Sequence, residues 1–371
     1  MKTDTDIMKK DEAAACEMRR LYRSYGYTQF KMSRFEEYDL YVRNKDFLIS
    51  DNIITFNDTD GRLMAMKPDV TLSIIKNSEY KKGCVQKVYY NENVYRVPKG
   101  SRSFKEIMQV GLECIGDVDE YNIYEVLLLA AKSLEGISAD FVLDISQLDI
   151  VSAVVDSLGL DGGALAEVYK CIGEKNVYGI NAVCAAAGVN GSALGMLLSA
   201  YGNAAKVAPV LEKLRSDEIA EPVDRLLRIV SLLEEEGFGD RVRIDFSVIN
   251  DMNYYNGFVF KGFINGVASG VLAGGQYDKL MKKMNKGPHA IGFAVYLDML
   301  ERFAETDSGY DVDALILYDE DCDTAALSRA VRLLAADGRS VTAQKKIPEK
   351  LRYRQLLKLC GKGVEIIENN A

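Results

Sequence analysis

A glutamine, a glycine and a glutamate alternate with hydrophobic residues in the first third of the chain, in a pattern typical of a β-strand. Gln109, Gly111 and Glu113 fall on one face of this segment, and the residues between them fall on the other. The carboxylate and the amide offer oxygen acceptors, and a glycine within a strand permits close approach of a ligand or another backbone. This face therefore predicts a site for a small cationic or amine-bearing ligand. The polar, outward side of a one-sided sheet is the competing interpretation.

Two further polar residues, Asp69 and Thr71, follow Pro68 where a helix is predicted to begin. An acidic residue is favourable in the first turn of a helix, so a role at the helix start would by itself explain both. The chain has one histidine, His289, which excludes a His-based triad or metal cluster. None of its seven cysteines forms a C-x-x-C pair, so neither a zinc site nor a disulfide framework is indicated. We expect no metal and no cofactor.

The composition indicates a soluble globular protein of two or three domains, with 371 residues of which 48% are hydrophobic and 27% charged. The net charge of −9 disfavours a protein whose main role is to bind nucleic acid. No apolar run is long enough to span a membrane, and no signal peptide is evident. With the scattered cysteines, these features predict a cytoplasmic protein.

The candidate residues lie on a predicted β-hairpin, with strands at 85–96 and 106–115 joined by a polar loop at 97–103. Residues 149–236 are rich in Ala and Leu at helical spacing. Gly274-Gly275 ends a later strand but lacks the spacing of a phosphate-binding loop. The other predicted elements are helices at 6–25, 68–76, 121–134, 323–337 and 351–359, and strands at 52–57, 63–67, 141–145, 242–263, 314–318, 341–343 and 364–367.

These elements predict two domains. The first covers residues 1–305 and carries a helical insertion at about 149–238. The second is a small α/β unit at 311–371 with the order β-α-β-α-β, after a linker at 305–309.

Several dispersed stretches resemble, in order, the histidyl-tRNA synthetase family over nearly all of residues 1–305. They are Gly26-Tyr27, Phe35-Glu36 with Tyr38, Met66-Lys-Pro-Asp-Val-Thr71, Arg96 with Lys105-Glu106-x-x-Gln109-x-Gly111-x-Glu113-x-x-Gly116, Tyr254-Tyr-Asn-Gly257 with Val259-Phe260, and Gly274-Gly-Gln-Tyr-Asp278 with Gly292. The resemblance implies an α+β fold of the class II aminoacyl-tRNA synthetase type, an antiparallel sheet flanked by helices with a helical insertion. It also implies that the small tail is a truncated relative of an anticodon-binding domain.

The resemblance further implies a histidine-binding site. Asp69, Thr71 and Gln109 would face the α-amino group of the ligand. Glu113 and Tyr255 would face the imidazole, Tyr254 would form a wall, and Arg96 could pair with the carboxylate. The family has Glu where this chain has Asp69, which is one methylene shorter.

The chain departs from the aminoacylating members of this family at the cations that hold ATP. Their arginines correspond here to the segment 249–253, which carries no cation, to Gln276 and to a position at about Met299. Arg96 and the weaker substitute Lys67 remain, and Arg243 lies close upstream of the first lost position. Loss of one fixed cation typically raises the reaction barrier by about 3 kcal/mol, so three losses argue against adenylate formation.

A chain that keeps the amino-acid pocket without the phosphate clamps resembles the regulatory subunits of ATP phosphoribosyltransferase. That resemblance implies a non-catalytic histidine sensor that pairs with the short catalytic subunit and forms a homodimer through residues 30–60 within a hetero-oligomer. Binding of tRNA is not expected, because the tail shows no concentrated basic and aromatic surface. A diverged histidyl-tRNA synthetase and a stand-alone ligand- or RNA-binding module are the alternatives.

Overall fold

The computed structural model describes residues 10–48, 52–97, 103–249, 254–300, 310–360 and 363–370. The predicted loop at 97–103 lies largely outside the described residues, as do most of the segment 249–253 and the predicted linker at 305–309. The chain divides into two compact units, Met1–Glu301 and Arg302–Ala371.

The helices of the first unit precede, separate and follow its strands. They are α1 (Lys10–Ser24), α2 (Tyr38–Arg43), α3 (Thr71–Asn77), α4 (Glu120–Glu135), α5 (Leu148–Asp156), α6 (Gly162–Gly173), α7 (Val177–Ala186), α8 (Ser192–Ser199), α9 (Ala204–Leu214), α10 (Ala220–Leu233) and α11 (Asp278–Lys283). No helix in the described part of the chain combines the length and the hydropathy needed to span a bilayer.

The strands of the first unit form two sheets. They are β1 (Thr28–Gln29), β2 (Phe35–Glu37), β3 (Thr55–Asn57), β4 (Leu63–Met66), β5 (Val85–Arg96), β6 (Lys105–Gly116), β7 (Phe141–Gln147), β8 (Tyr201–Gly202), β9 (Val242–Asp245), β10 (Asn256–Ile264), β11 (Leu272–Gln276) and β12 (His289–Tyr296).

The larger sheet has the order β1-β5-β6-β12-β11-β10-β7-β9-β8, and the smaller one has the order β2-β4-β3. The six strands from β5 to β7 in this order pair antiparallel, and parallel pairs occur at β1–β5 and β7–β9. Helices α1 and α4 pack on the sheet, and α5–α10 lie between β7 and β9 in the chain. The predicted α+β fold with an antiparallel sheet and a helical insertion is therefore confirmed.

The hairpin β5–β6 places the predicted polar face in the middle of the sheet. Tyr90 pairs with Gly111 and Val88 pairs with Glu113, over twelve residues of each strand. The alternate residues of β6, including Val110 and Leu112, are buried in the main hydrophobic core beneath α4. Because one face of the sheet is fixed by this core, the opposite face carries the polar residues as a set.

The second unit is a four-stranded sheet with one helix. It contains β13 (Val312–Leu317), α12 (Thr324–Ala336), β14 (Val341–Gln344), β15 (Tyr353–Cys360) and β16 (Gly363–Asn369), with the strand order β14-β13-β15-β16.

The predicted helix at 351–359 was wrong, because these residues form β15. Its two adjacent leucines, Leu356 and Leu357, looked like part of a helical stripe in the sequence. Both are buried, although successive strand residues normally point to opposite faces. Leu357 belongs to the small hydrophobic core with Ala314, Ile316 and Ala330, and the pairing of β15 with β16 changes register between the two leucines. Strand pairing here outweighs the helical pattern.

Candidate functional site

A cleft lies on the polar face of β6, and the empty space between its walls, including open solvent, is about 580 Å³. Its walls come from β5, β6, β11, β12, the start of α3, and the residues just before β10. The seven site residues predicted from the sequence all line it: Asp69, Thr71, Arg96, Gln109, Glu113, Tyr254 and Tyr255. The structure thus brings together residues that are up to 186 positions apart in the sequence.

The carboxyl group of Glu113 lies at the closed end of the cavity. The hydroxyl of Thr71 donates a hydrogen bond to Oε1 over 2.7 Å, and the hydroxyl of Tyr277 donates to Oε2 over 2.5 Å. Burial raises the pKa of Glu113 to about 8, although both hydrogen bonds act in the opposite direction. The group is therefore largely protonated at neutral pH and can ionise when a cation enters beside it.

The floor of the cavity is built around glycines. A Cβ atom on Gly292 would lie 1.7 Å from Oε2 of Glu113, which pairs with it across β6 and β12. A Cβ atom on Gly111 would lie 2.5 Å from the hydroxyl oxygen of Tyr90 and 2.2 Å from the carbonyl oxygen of Phe293. The mid-strand glycine thus permits the close approach of a side chain and a backbone, as predicted in general terms. Larger residues at either position would displace the groups that shape the cavity.

Asp69 lies at a helix start and also lines the cavity, and both roles were considered from its position in the sequence. Its Oδ1 accepts a hydrogen bond from the backbone N–H of Leu72 over 2.9 Å, at the start of α3. The same side chain lines the cavity. Burial raises its pKa, and the nearby Arg96 partly offsets that effect.

Arg96 supplies the positive charge of the cavity. Among the described residues that line it, Arg96 is the one cation, and Asp69 and Glu113 are the carboxylates. Arg96 is 7% exposed, and within the described part of the chain no carboxylate lies at ion-pair distance from it. Its guanidinium carbon lies 5.7 Å from the centre of the Tyr296 ring. A buried guanidinium without an internal carboxylate partner can receive one from a ligand.

Lys67 does not take part in the cavity lining. Its Nζ lies 2.5 Å from Oε2 of Glu92, and the lysine side chain is 1% exposed. The interpretation of Lys67 as a substitute phosphate clamp is wrong, because its charge is already neutralised by the half-buried Glu92. Glu92 lies four residues before Arg96 on β5. Because its carboxylate pairs with Lys67, it does not serve as a partner for that arginine.

Aromatic rings form the remaining walls. The ring of Tyr254 lies 4.5 Å from that of Tyr255, 5.8 Å from that of Tyr277 and 6.1 Å from that of Phe47, measured between centres. Burial raises the pKa of each of these tyrosines well above the ordinary value, so they remain neutral. The walls therefore offer flat apolar surfaces and hydroxyl groups to a ring-shaped ligand.

Among the aromatic residues that line the cavity, the sequence reasoning missed five: Phe47, Tyr90, Tyr277, Phe293 and Tyr296. Tyr277 belongs to the Gly-Gly-Gln-Tyr-Asp stretch that carried the resemblance, so its role could have been anticipated from the motif. The others are aromatic residues in hydrophobic surroundings, and their sequence pattern does not distinguish a cavity wall from a core.

The positions of the missing phosphate contacts carry no replacement among the described residues. The Gln276 side chain accepts a hydrogen bond from the backbone N–H of Phe258 and does not line the cavity. Met299 lies on a short 3₁₀ turn and is 37% exposed. The guanidinium of Arg243 donates to backbone carbonyls of residues 239, 240 and 242, so it does not fill the first position. The segment 250–253 lies outside the described residues.

A second polar cluster lies where the helical insertion joins the sheet. Asp144 and Asp245 are buried there, and Lys175 pairs with Asp245 over 2.6 Å. Oδ1 of Asp144 has no hydrogen-bond partner in the described structure. Burial and the neighbouring Asp245 raise the pKa of Asp144 to about 7.

An antiparallel sheet with a long central hairpin, covered by helices on one face and open to a polar cavity on the other, defines the catalytic-domain fold of class II aminoacyl-tRNA synthetases. The chain belongs to the histidyl-tRNA synthetase family, whose model matches residues 5–300.

The relatives of this chain include regulatory subunits. The chain is 25% identical over 316 residues to an ATP phosphoribosyltransferase regulatory subunit of Ruminiclostridium cellulolyticum, covering 82% of this chain and 75% of the relative. It is thus related to regulatory rather than catalytic subunits, as the sequence predicted.

Solved structures show the same fold. An ATP phosphoribosyltransferase regulatory subunit/histidyl-tRNA synthetase from Bacillus halodurans matches with a TM-score of 0.72 at 23% identity, over 90% of this chain and 88% of the other. A chain of the ATP phosphoribosyl transferase (HisG:HisZ) complex from Thermotoga maritima matches with a TM-score of 0.62 at 18% identity, over 80% and 98% respectively.

Proposed function

We propose that this chain binds free histidine and acts as the non-catalytic regulatory subunit of ATP phosphoribosyltransferase. It confers activation and feedback regulation on the short catalytic subunit, in the first step of histidine biosynthesis, in the cytoplasm. The kinship with named regulatory subunits supports the general role. The charge distribution of the cavity supports histidine as the ligand.

That charge distribution is the observation that carries the proposal. One buried carboxyl group, one half-buried carboxyl group and one buried guanidinium line the described cavity, which suits a ligand that carries both an ammonium and a carboxylate. A triphosphate requires several fixed cations, and the described lining offers Arg96 alone. The cavity therefore favours an amino acid over a nucleotide.

The proposed pose takes the role of each residue from the resemblance to histidyl-tRNA synthetases, and the presence of these residues around one cavity supports it. Asp69, Thr71 and Gln109 receive the α-amino group, and Arg96 pairs with the carboxylate. The imidazole lies beside Glu113 and Tyr255, with Tyr254 as the wall. An imidazole N–H donates a hydrogen bond to the carboxyl group of Glu113. The carboxyl group accepts this bond in addition to the hydrogen bonds that it already accepts from hydroxyl groups.

The first experiment is calorimetric titration of the purified chain with histidine and, separately, with ATP. We expect saturable binding of histidine and none of ATP, together with no histidine-dependent pyrophosphate exchange. Arg96→Met should weaken histidine binding by about tenfold or more, because a buried charge-assisted contact is worth about 1.5–3 kcal/mol. Arg228→Met is the matched control, since Arg228 pairs with Glu120 on the exposed face of α10. Exchange activity or charging of tRNA would instead favour a diverged synthetase.

The second experiment adds the short catalytic subunit. We expect the two chains to co-elute, the phosphoribosyl transfer rate to rise on mixing, and histidine to reduce it. Arg96→Met should retain the activation and lose sensitivity to histidine. Activity that is indifferent to this chain would contradict the proposed role.

We also propose that the chain forms a homodimer within the complex. An exposed apolar cluster on and beside the small sheet supports this proposal, and Phe35, Val42, Phe56 and Leu63 are each 38–46% exposed. The rings of Phe35 and Phe56 pack edge to face with centres 5.4 Å apart. Sedimentation of Phe56→Lys should show dissociation, whereas Leu333→Lys on α12 should not.

A further inference from the structure

Tyr296 contacts the cation of the cavity from a different strand. Arg96 lies at the end of β5 and Tyr296 at the end of β12, and β6 separates these two strands in the sheet. The arginine side chain therefore reaches across β6 to place its guanidinium carbon 5.7 Å from the centre of the tyrosine ring. Both residues line the cavity, and Tyr296 is half-buried at its edge.

This ring is a contact that restricts the orientation of Arg96 in the described structure, where Asp69 acts on the guanidinium only from beyond ion-pair distance. No described carboxylate lies at ion-pair distance from the guanidinium, and Glu92 on the same face of β5 is taken by Lys67. A long arginine side chain without such a partner retains many rotamers, and attraction of its guanidinium to an aromatic ring removes part of that freedom. A guanidinium that is fixed before the ligand arrives binds a carboxylate at a lower entropic cost.

We propose that Tyr296 is a positioning residue that sets the preference of the cavity for ligands with a carboxylate. Tyr296 acts through Arg96 rather than through its own contact with the ligand. The phenol hydroxyl is not needed for this role, because the ring face supplies the attraction. This inference rests on the proposed histidine-binding function.

The test compares histidine with histamine, which is histidine without its carboxylate. Titration calorimetry measures both ligands against the wild-type chain, Tyr296→Phe and Tyr296→Leu. We expect the wild type and Tyr296→Phe to prefer histidine to the same extent. In Tyr296→Leu the preference should fall by about three- to tenfold, since histidine binding weakens while histamine binding is unchanged.

The alternative outcomes are distinguishable. If Tyr296→Leu weakens both ligands by the same factor, or leaves the preference unchanged, Tyr296 is a packing residue and the inference is overturned. If the wild-type chain binds neither ligand, the proposed function itself fails. Should Tyr296→Leu not fold, Tyr296→Met supplies the same comparison, because it also removes the aromatic face and keeps much of the volume.

Discussion

Replacing Glu113 with glutamine should remove a large pH dependence from the stability of this protein. Burial raises the pKa of Glu113 from 4.5 to about 8. The folded chain therefore holds a proton that the unfolded chain has already released across this interval. The stabilising effect of that proton is complete below about pH 4.5 and is lost as the pH rises through about 8.

The magnitude follows from the two pKa values. Each pKa unit corresponds to about 1.4 kcal/mol, so the full effect is about 5 kcal/mol and about 4 kcal/mol falls between about pH 5 and about pH 9. Glutamine is neutral throughout, and the hydroxyls of Thr71 and Tyr277 can rotate to accommodate an amide. Between about pH 5 and about pH 9, Glu113→Gln should therefore gain about 4 kcal/mol of unfolding free energy relative to the wild type.

Urea unfolding at the two pH values, without histidine, measures this difference. Glu106→Gln is the matched control on the same strand, because Glu106 is exposed and hydrogen bonds from Tyr95 and Asn93 lower its pKa. The lowered pKa makes its stabilising effect present above about pH 4.5, so no gain for that variant is expected at high pH. A Glu113→Gln difference that stays constant within about 1 kcal/mol would refute the reasoning.

Three further substitutions test other parts of the structure. Gly292→Ala should cost about 1–3 kcal/mol in urea unfolding and weaken histidine binding, because its Cβ would lie 1.7 Å from Oε2 of Glu113. Lys67→Met should cost about 1–3 kcal/mol by leaving the half-buried Glu92 without its cation, and Lys67→Met combined with Glu92→Leu should recover most of the loss. Asp144→Asn should gain about 2–3 kcal/mol relative to wild type between about pH 5 and about pH 8, because the raised pKa of Asp144 makes its stabilising effect complete below about pH 3.8 and lost once the pH has risen through about 7.

Controls and contrary outcomes differ among these variants. Gly163→Ala adds a Cβ in open space on α6 and should not destabilise the chain. If Lys67→Met costs no more than the double variant, the buried pair has no role in stability. Asp224→Asn removes an exposed carboxylate whose pKa Arg215 lowers, so a pH-dependent gain there as large as that of Asp144→Asn would point to a general charge effect.

The fold was largely predictable because its signals are local or appear in a fixed order along the chain. The alternation in β6 assigned Gln109 and Glu113 to one face without any knowledge of the neighbouring strands. The tail was less predictable, since the double leucine of β15 fits a helix or a strand buried on both faces. Only the strands β13 and β16 on either side decide between those two structures.

The sequence by itself determined the class of fold, the polar face of the hairpin and the absence of the usual phosphate arginines, because these depend on residue type and on short-range periodicity. Tertiary structure alone decided that Tyr277 donates a hydrogen bond to Glu113, 164 positions away, that Lys67 forms an ion pair with Glu92, and that Tyr296 contacts Arg96. Strand order and register bring such residues together, and that register is fixed by the whole hydrophobic core rather than by any one segment.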